Sequence, residues 1–286
     1  MGSPDPILRC ALIGSGSAGN ATLVQAGNTT VLVDCGYSIR SFEERAAALA
    51  FDPAALTAIL VTHEHDDHVG GVDALSRRYG VPVYATRGTR VANEVRVGPL
   101  PDWQEISSHA PCRLGDLEVV PVPVPHDARE PSQFVFAAGA ARLGILTDIG
   151  SLTPHVIRQY RTCDAMVLEF NHEPALLQKS AYPSRLKKRI GGDYGHLSNA
   201  QSRALLRAIG GQRLRHVVAA HLSERTNHPD LVVQALEAAV SEDGLPISFA
   251  IAAQHEVRPW FEVIPGAEIS AGCGAPAADA SGPGAG

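Results

Sequence analysis

Residues 58–72 read Ala58-Ile59-Leu60-Val61-Thr62-His63-Glu64-His65-Asp66-Asp67-His68-Val69-Gly70-Gly71-Val72. This stretch decides the fold. Ile59 to Val61 is a short apolar run of the kind that forms a buried strand. It ends at Thr62, and His63, Glu64, His65, Asp66, Asp67 and His68 follow with nothing apolar between them. After Gly70 and Gly71, Val72, Leu75 and Tyr79 recur at helical spacing. Imidazoles and carboxylates are thus concentrated on a loop between a strand and a helix, a place where sites are commonly built. In an extended loop, residues two apart point the same way, so His63 and His65 can face one metal together. Asp67 and His68 are adjacent and point to different sides. They can serve a second metal about 3.5–4 Å away, the separation found in two-metal hydrolytic sites. The plain alternative is a solvated polar loop, which a strand running into His-x-His-x-Asp-His argues against.

Composition bounds what the rest of the chain can be. With 286 residues and 45% hydrophobic content, it can bury a full core, and one large α/β domain is the simplest count. A formal charge of −6 argues against a surface that grips nucleic acid everywhere, though not against a local basic strip. The five cysteines, Cys10, Cys35, Cys112, Cys163 and Cys273, are odd in number and form no Cys-x-x-Cys. With no signal peptide, they read as buried thiols in a reducing compartment. No apolar run approaches the roughly 20 residues of a membrane span. The expectation is a cytoplasmic protein with no membrane segment.

Working outward, several strands end in His or Asp. Residues 1–6 read as a disordered start, and Ile7 to Ile13 as a strand. Gly14 to Asn20 resembles a phosphate loop superficially but lacks the Gly-Lys-Ser/Thr ending, so a tight turn between strands is favoured. Its Ser15, Ser17 and Asn20 can still border a site. The strand Val31–Val33 leads to Asp34, a carboxylate placed to support a ligand histidine. Ser41 with Glu44 reads as a capping box. Leu117 to Val124 delivers His126. A hairpin over Phe134–Ala138 and Arg142–Thr147 delivers Asp148. Ala165 to Phe170 carries Glu169 and leads to His172. His196 leads into a helix capped by Ser198, and the strand 216–220 ends at His221. Helix 229–240 and strands 247–253 and 257–263 close the domain. Two strand-rich halves with flanking helices predict an α/β fold of αββα type, two mixed β-sheets flanked by helices, over residues 7–265. The Ala/Gly/Pro-rich tail, 266–286, reads as disordered.

The string at 63–68, with His126, Asp148 and His221 in that chain order, resembles the metallo-β-lactamase superfamily over roughly residues 7–263. The resemblance implies that His63, His65 and His126 bind one metal ion, that Asp67, His68 and His221 bind another, and that Asp148 bridges them. It implies two divalent ions per chain, Zn or Mn, with Fe also compatible with these ligands. An Asp at 148 resembles the phosphoesterases and thioesterases of the superfamily; the β-lactamases proper usually place a Cys or another residue there, so antibiotic hydrolysis is not expected. A narrower resemblance is carried by Ser15-Gly-Ser-Ala-Gly-Asn20, His126-Asp-Ala, Thr147-Asp-Ile-Gly150, Glu169-Phe-Asn-His172, Tyr182-Pro183, Gly195-His-Leu-Ser-Asn199 and His221-Leu-Ser223. These look like the YycJ/WalJ-like branch, similar to DNA exonucleases acting from 5′ ends and related to phosphoribosyl cyclic phosphodiesterase. Glu173 departs from that pattern, where many relatives have Asp.

The implied reaction is hydrolysis of a phosphodiester by a metal-bridging hydroxide, formed from a water that Asp67 orients and deprotonates. Glu169 and His196 resemble the Glu and His pair near the leaving group in tRNase Z and are the expected proton relay. His172 is a candidate for substrate contact or for support of a ligand. Arg185, Lys187, Lys188 and Arg189 form the densest basic run, and Lys187, Lys188 and Arg189 are expected to touch a nucleic-acid backbone. Ser223 and Asn227 are expected to bind a terminal phosphate. His109, His155, His216 and His228 read as structural or surface residues. The leading expectation is a 5′→3′ exonuclease on double-stranded DNA. The alternatives are a small cyclic phosphodiesterase, an iron-dependent sulfur dioxygenase, and a non-enzymatic nucleic-acid-binding module.

Overall fold

A computed structural model describes residues 5–97 and 102–266. The first half runs Leu8–Gly14 (β1), Ala21–Ala26 (β2), Thr29–Val33 (β3), Ile39–Ala48 (α1), Ala58–Leu60 (β4), Asp66–Val69 (α2), Val72–Tyr79 (α3), Val83–Ala85 (β5), Arg87–Val97 (α4) and Trp103–Glu105 (β6). The second runs Cys112–Leu114 (β7), Leu117–Pro123 (β8), Ser132–Ala138 (β9), Ala141–Leu146 (β10), Pro154–Tyr160 (α5), Ala165–Glu169 (β11), Pro174–Lys179 (α6), Ser184–Ile190 (α7), Asn199–Ile209 (α8), His216–Ala220 (β12), Pro229–Ser241 (α9), Ser248–Ile251 (β13) and Arg258–Glu262 (β14).

The strands form two sheets, ordered β14-β1-β2-β3-β4-β5-β6 and β13-β12-β11-β10-β9-β8-β7. Each is mixed: β1, β2 and β3 pair antiparallel whereas β3 to β6 pair parallel, and the second sheet is antiparallel from β7 to β10 and parallel from β10 to β13. The last strand crosses back to pair with the first. Alternation within strands explains the layering, because successive side chains point to opposite faces. In β11, Ala165 and Val167 enter the cluster between the sheets, while Met166 and Leu168 enter the cluster beneath α5, α8 and α9. In β3, Val31 and Val33 join the inter-sheet cluster and Leu32 the one beneath α1 and α3. Burial on both faces is why these strands read as unbroken apolar runs. The expected αββα sandwich is what forms.

One local reading changes. Helix α1 is capped by Ser38, whose hydroxyl accepts from the Ser41 N–H at 3.3 Å. The helix therefore starts before Ser41, and Ile39 packs against the apolar cluster. Ser198 does form a capping box, with Gln201. The start at residues 1–4 and the tail from residue 267 lie outside the described residues, as does Cys273. Cys10, Cys35 and Cys163 are buried and free, and Cys112 is half-buried and free. No described helix is long and apolar enough to cross a membrane.

Candidate metal centre

Parallel strands place their carboxyl ends side by side, and the site stands at those ends. Asp34 follows β3, the ligand loop follows β4, Asp148 follows β10, Glu169 ends β11 and His221 follows β12. His126 enters from the segment after β8. The loops meet closely. Asn20 N–H donates to the Asp67 carbonyl at 2.8 Å, Cys35 N–H to that of His68 at 2.7 Å, and Gly71 N–H to that of Cys35 at 2.7 Å. A Cβ on Gly36 would stand 2.1 Å from the Asp67 carbonyl oxygen, and one on Gly71 1.9 Å from that of Tyr37. Only glycine allows this approach.

Two groups of ligand atoms result. His63 Nε2 lies 2.9 Å and His126 Nε2 3.4 Å from His65 Nδ1. Beside them, Asp67 Oδ2 lies 3.5 Å from His68 Nε2 and 3.6 Å from His221 Nε2. Asp148 stands between the groups. Its carboxylate is 3.1 Å from His68 Nε2, 3.6 Å from His221 Nε2 and 3.8 Å from His126 Nε2. All seven residues expected as ligands are thus brought together in two adjoining clusters.

The far side of four of the five ligand imidazoles is fixed. Asp34 Oδ2 accepts from His68 Nδ1 at 2.8 Å, the Gly195 carbonyl from His126 Nδ1 at 3.0 Å, and Glu169 Oε1 from His221 Nδ1 at 3.0 Å. Thr62 Oγ1 lies 2.9 Å from His63 Nδ1 while donating to Asp34 Oδ2 at 2.7 Å. These contacts leave Nε2 as the inward nitrogen, as in metal sites where an outer partner sets the tautomer. His221 Nε2 is buried without a hydrogen-bond partner, and Asp148 Oδ2, equally buried, meets only the His68 ring. Buried polar atoms are rarely left so, and a cation is the partner that suits an oxygen and a neutral nitrogen at once. The donor set therefore fits divalent metal ions.

Electrostatics in the metal-free protein agree. Burial opposes a charge on Asp148, yet His221 and His68 outweigh it and hold the carboxyl well below its usual range. Burial likewise opposes a charge on His68, but Asp148, Asp67 and Asp34 hold it well above the usual imidazole range. His221, also disfavoured by burial, is raised to about 10, mainly by Asp148. His63 is pushed well down by burial and by His68. Without metal, protons on His68 and His221 supply the positive charge this carboxylate cluster demands.

The other expected residues separate by position. A cleft of about 340 Å³ opens over the centre and is lined by His65, Asp67, Asp148, Arg189, His196 and Ser17 among others. His196 donates from Nδ1 to Glu169 Oε1 at 2.8 Å, which turns its Nε2 outward. Glu169 itself is fully buried. It accepts from His196, His221 and the Leu197 N–H (2.9 Å), with longer bonds from the Asp148 and Ile149 N–H groups. Burial would raise its pKa, but His196 and His221 bring it down to about 2. The carboxylate thus stands behind the rings of His196 and His221 at once. Asp34 stands where it was expected, behind His68. Helix α7 divides the basic run: Leu186, Arg189 and Ile190 face the cleft, whereas Lys187 and Lys188 line a separate hollow with Gln178 and Ser184. Lys187 Nζ donates to the Gln178 carbonyl at 2.5 Å.

His172 is buried, lies outside the cleft lining, and bridges to Ser198 beside α8. Asn227 spends its amide on Phe170 and Asn199 at 2.8 and 2.9 Å, and Ser223 Oγ accepts from Thr226 Oγ1 at 2.9 Å. Both border a different cavity from the one over the ligand clusters. Sequence reasoning missed Asp127, which pairs with Arg189 across the cleft, and Gln254, whose amide bonds the Ala18 N–H and the Gly19 carbonyl at 2.7 and 2.9 Å. Gln254 holds the turn from which Ser15 Oγ accepts the His221 N–H at 2.9 Å. Asp127 lies within the His126-Asp-Ala string, whereas Gln254 carries no sequence signal, because a glutamine 235 residues from its partner looks like any surface amide.

The fold and the donor set define a class, the metallo-β-lactamase-fold hydrolases, and a family profile described as the Beta-lactamase superfamily domain matches residues 29–222. The chain belongs to that superfamily, in its YycJ/WalJ-like branch. It is 32% identical over 254 residues to exodeoxyribonuclease YycJ of Bacillus anthracis, covering 88% of this chain and 96% of that one. It is 31% identical to exodeoxyribonuclease WalJ of Streptococcus pneumoniae, covering 84% and 92%. Among solved structures, the metallo-β-lactamase fold protein YhfI from Bacillus subtilis shares the fold, with a TM-score of 0.68 and 16% identity over 90% of this chain and 100% of that one.

Proposed function

We propose that the protein is a metal-dependent hydrolase of phosphodiester bonds, a nuclease, and that it degrades double-stranded DNA from 5′ ends in the 5′→3′ direction. Its full-length relatives are named exodeoxyribonucleases. The observation that carries the reading is the pairing of two outward-facing groups over the buried ligand clusters. Asp67 has a side chain 24% exposed and His196 one 21% exposed, whereas Asp148 is 2% exposed.

Two bound divalent cations, Zn or Mn, would supply the charge that polarises a phosphate and acidifies a water. His63, His65 and His126 would hold one, Asp67, His68 and His221 the other, and Asp148 both. Asp67 Oδ2, at the cleft floor, orients the attacking water and takes its proton. His196 delivers a proton from Nε2 to the leaving oxygen, and the Glu169 carboxylate behind Nδ1 keeps the ring oriented. Arg189 presents a guanidinium at the cleft wall for a backbone phosphate. The cleft is open at the surface, which suits a polymer; neither the cyclic-phosphate nor the sulfur-dioxygenase reading gains an observation of its own.

The test is digestion of 5′-phosphorylated duplex DNA by Mn- or Zn-loaded protein, with Asp67→Ala as control. Stepwise loss of nucleotides from the 5′ end, absent in the control, is expected. Hydrolysis confined to small cyclic phosphodiesters would overturn the nuclease reading.

A further inference from the structure

A second hollow, of about 410 Å³, lies on the flank of the ligand loop and is lined by Arg87, Gly88, Val91, Arg129 and Glu130. Arg87 opens α4, and Arg129 lies in the connection between β8 and β9, so the two meet only in the fold. Both are exposed. Among the described residues neither guanidinium has a carboxylate within 4.0 Å, although Arg40, Arg78, Arg90, Arg189, Arg203 and Arg213 are all paired. The carboxylate in the hollow, Glu130, is committed elsewhere. Its Oε2 accepts the Gly88 N–H at 2.7 Å and its Oε1 the Ser108 hydroxyl at 3.3 Å. Its backbone carbonyl takes the Thr86 hydroxyl at 2.8 Å. Glu130 thus fastens the start of α4 to the β8–β9 connection and fixes the spacing of the two arginines. Two exposed guanidinium groups on the lining of one hollow, with no carboxylate among the described residues paired to either, offer hydrogen-bond donors to an anion from outside.

The hollow is also tied to the centre. The Arg129 N–H donates to Glu64 Oε1 at 2.8 Å, and Glu64 lies between His63 and His65. Asp127, in the cleft wall, is two residues from Arg129. That is at most about 7 Å of extended chain, roughly two nucleotides of rise at about 3.4 Å each. We propose that Arg87 and Arg129 form a phosphate-binding subsite for the nucleic-acid backbone, beyond the cleft on the His65 side, opposite the wall that carries Arg189. The proposal rests on the nuclease reading above. It makes the binding track two-sided, with the reacting phosphodiester between Arg189 and the arginine pair. Guanidinium suits this task because its planar fork meets phosphate oxygens in pairs.

The experiment measures binding of metal-loaded protein to a 5′-phosphorylated oligonucleotide over a salt series, together with hydrolysis of bis(p-nitrophenyl) phosphate, which is too small to reach the hollow. Arg87→Ala/Arg129→Ala is expected to weaken oligonucleotide binding at least tenfold and to lower the slope of log Kd against log salt by about 2, one unit per lost phosphate contact. Hydrolysis of the small ester should not change, which also shows that the variant is folded. Arg87→Lys/Arg129→Lys should restore the slope, and Arg207→Ala, which removes a positive charge at the far end of α8, should leave it alone. An unchanged slope and Kd in the alanine variant, with wild-type protein binding and cleaving the oligonucleotide, overturns the subsite and spares the nuclease reading. Wild-type protein that hydrolyses the small ester but neither binds nor cuts the oligonucleotide overturns both.

Discussion

Asp34 touches no cleft atom, yet it holds the His68 ring through Nδ1 and the ligand loop through the Thr62 N–H and hydroxyl. Asp34→Asn keeps the shape and loses the charge, and should weaken metal binding by about 10–100-fold, read by competition with a metal-sensitive dye. His196→Gln should lower kcat on DNA by about 10²–10⁴ but scarcely affect a nitrophenyl phosphodiester, whose leaving group needs no proton. Glu169→Gln should affect both substrates, because the same carboxylate also orients His221. Protons matter in the resting protein too. With His221 at about 10 before metal arrives, uptake must displace a proton, so apparent affinity should fall as pH is lowered from 9 to 6. Calorimetry in buffers of differing ionisation enthalpy counts the protons released. His172 behaves in the opposite sense. Burial lowers it to about 4, so the folded state prefers the neutral ring. Its contribution to stability is fully present above the ordinary imidazole value of about 6.5 and is lost as pH falls from there through 4. Urea unfolding at pH 7 and pH 5 should show a smaller difference in His172→Asn than in the wild-type chain.

At the level of elements, the ligand loop, α2 and the neighbouring turns form one interlocked unit. Gly36→Ala and Gly71→Ala each force a Cβ against a backbone carbonyl oxygen. Both should destabilise the fold by several kcal/mol and lose metal together with the cooperative thermal transition. Helix α7 gives a graded test of the divided basic run: Arg189→Ala should reduce DNA cleavage more than Lys187→Ala or Lys188→Ala, whose side chains border another hollow. Much at this scale is legible in sequence because the signals are local. The apolar run before Thr62, the capping box at Ser198 and the strand 216–220 each follow from adjacent residues. The Ser38 cap is hidden in the sequence by the competing Ser41/Glu44 pattern three residues later. The split of Lys187–Arg189 is a matter of helical phase, which a basic run read as a block does not reveal.

Across the whole molecule, the ligands come from both sheets. His63, His65, Asp67 and His68 ride on the first, and His126, Asp148 and His221 on the second. Chain order placed them through a resemblance; of their supports Asp34, at a strand end, was legible too, and the others were not. Glu130 stitching α4 to β9, Gln254 pinning the Gly14–Asn20 turn, and the Arg87–Arg129 pair all depend on contacts between distant segments, which leave no mark in local composition. A centre shared between sheets also ties metal to stability. Chelation should lower Tm, with the shift growing as free metal rises above its Kd, read by scanning calorimetry against EDTA-buffered metal. Asp34, Asp148 and His221 have φ values of 58, 53 and 55°, a left-handed conformation that costs a non-glycine residue about 1 kcal/mol or more. Glycine at these positions would relax the chain while removing a side chain the centre needs. Laboratory selection of this chain for heat resistance alone, with metal withheld, should therefore enrich glycine or asparagine at these strand ends and return robust proteins with no activity.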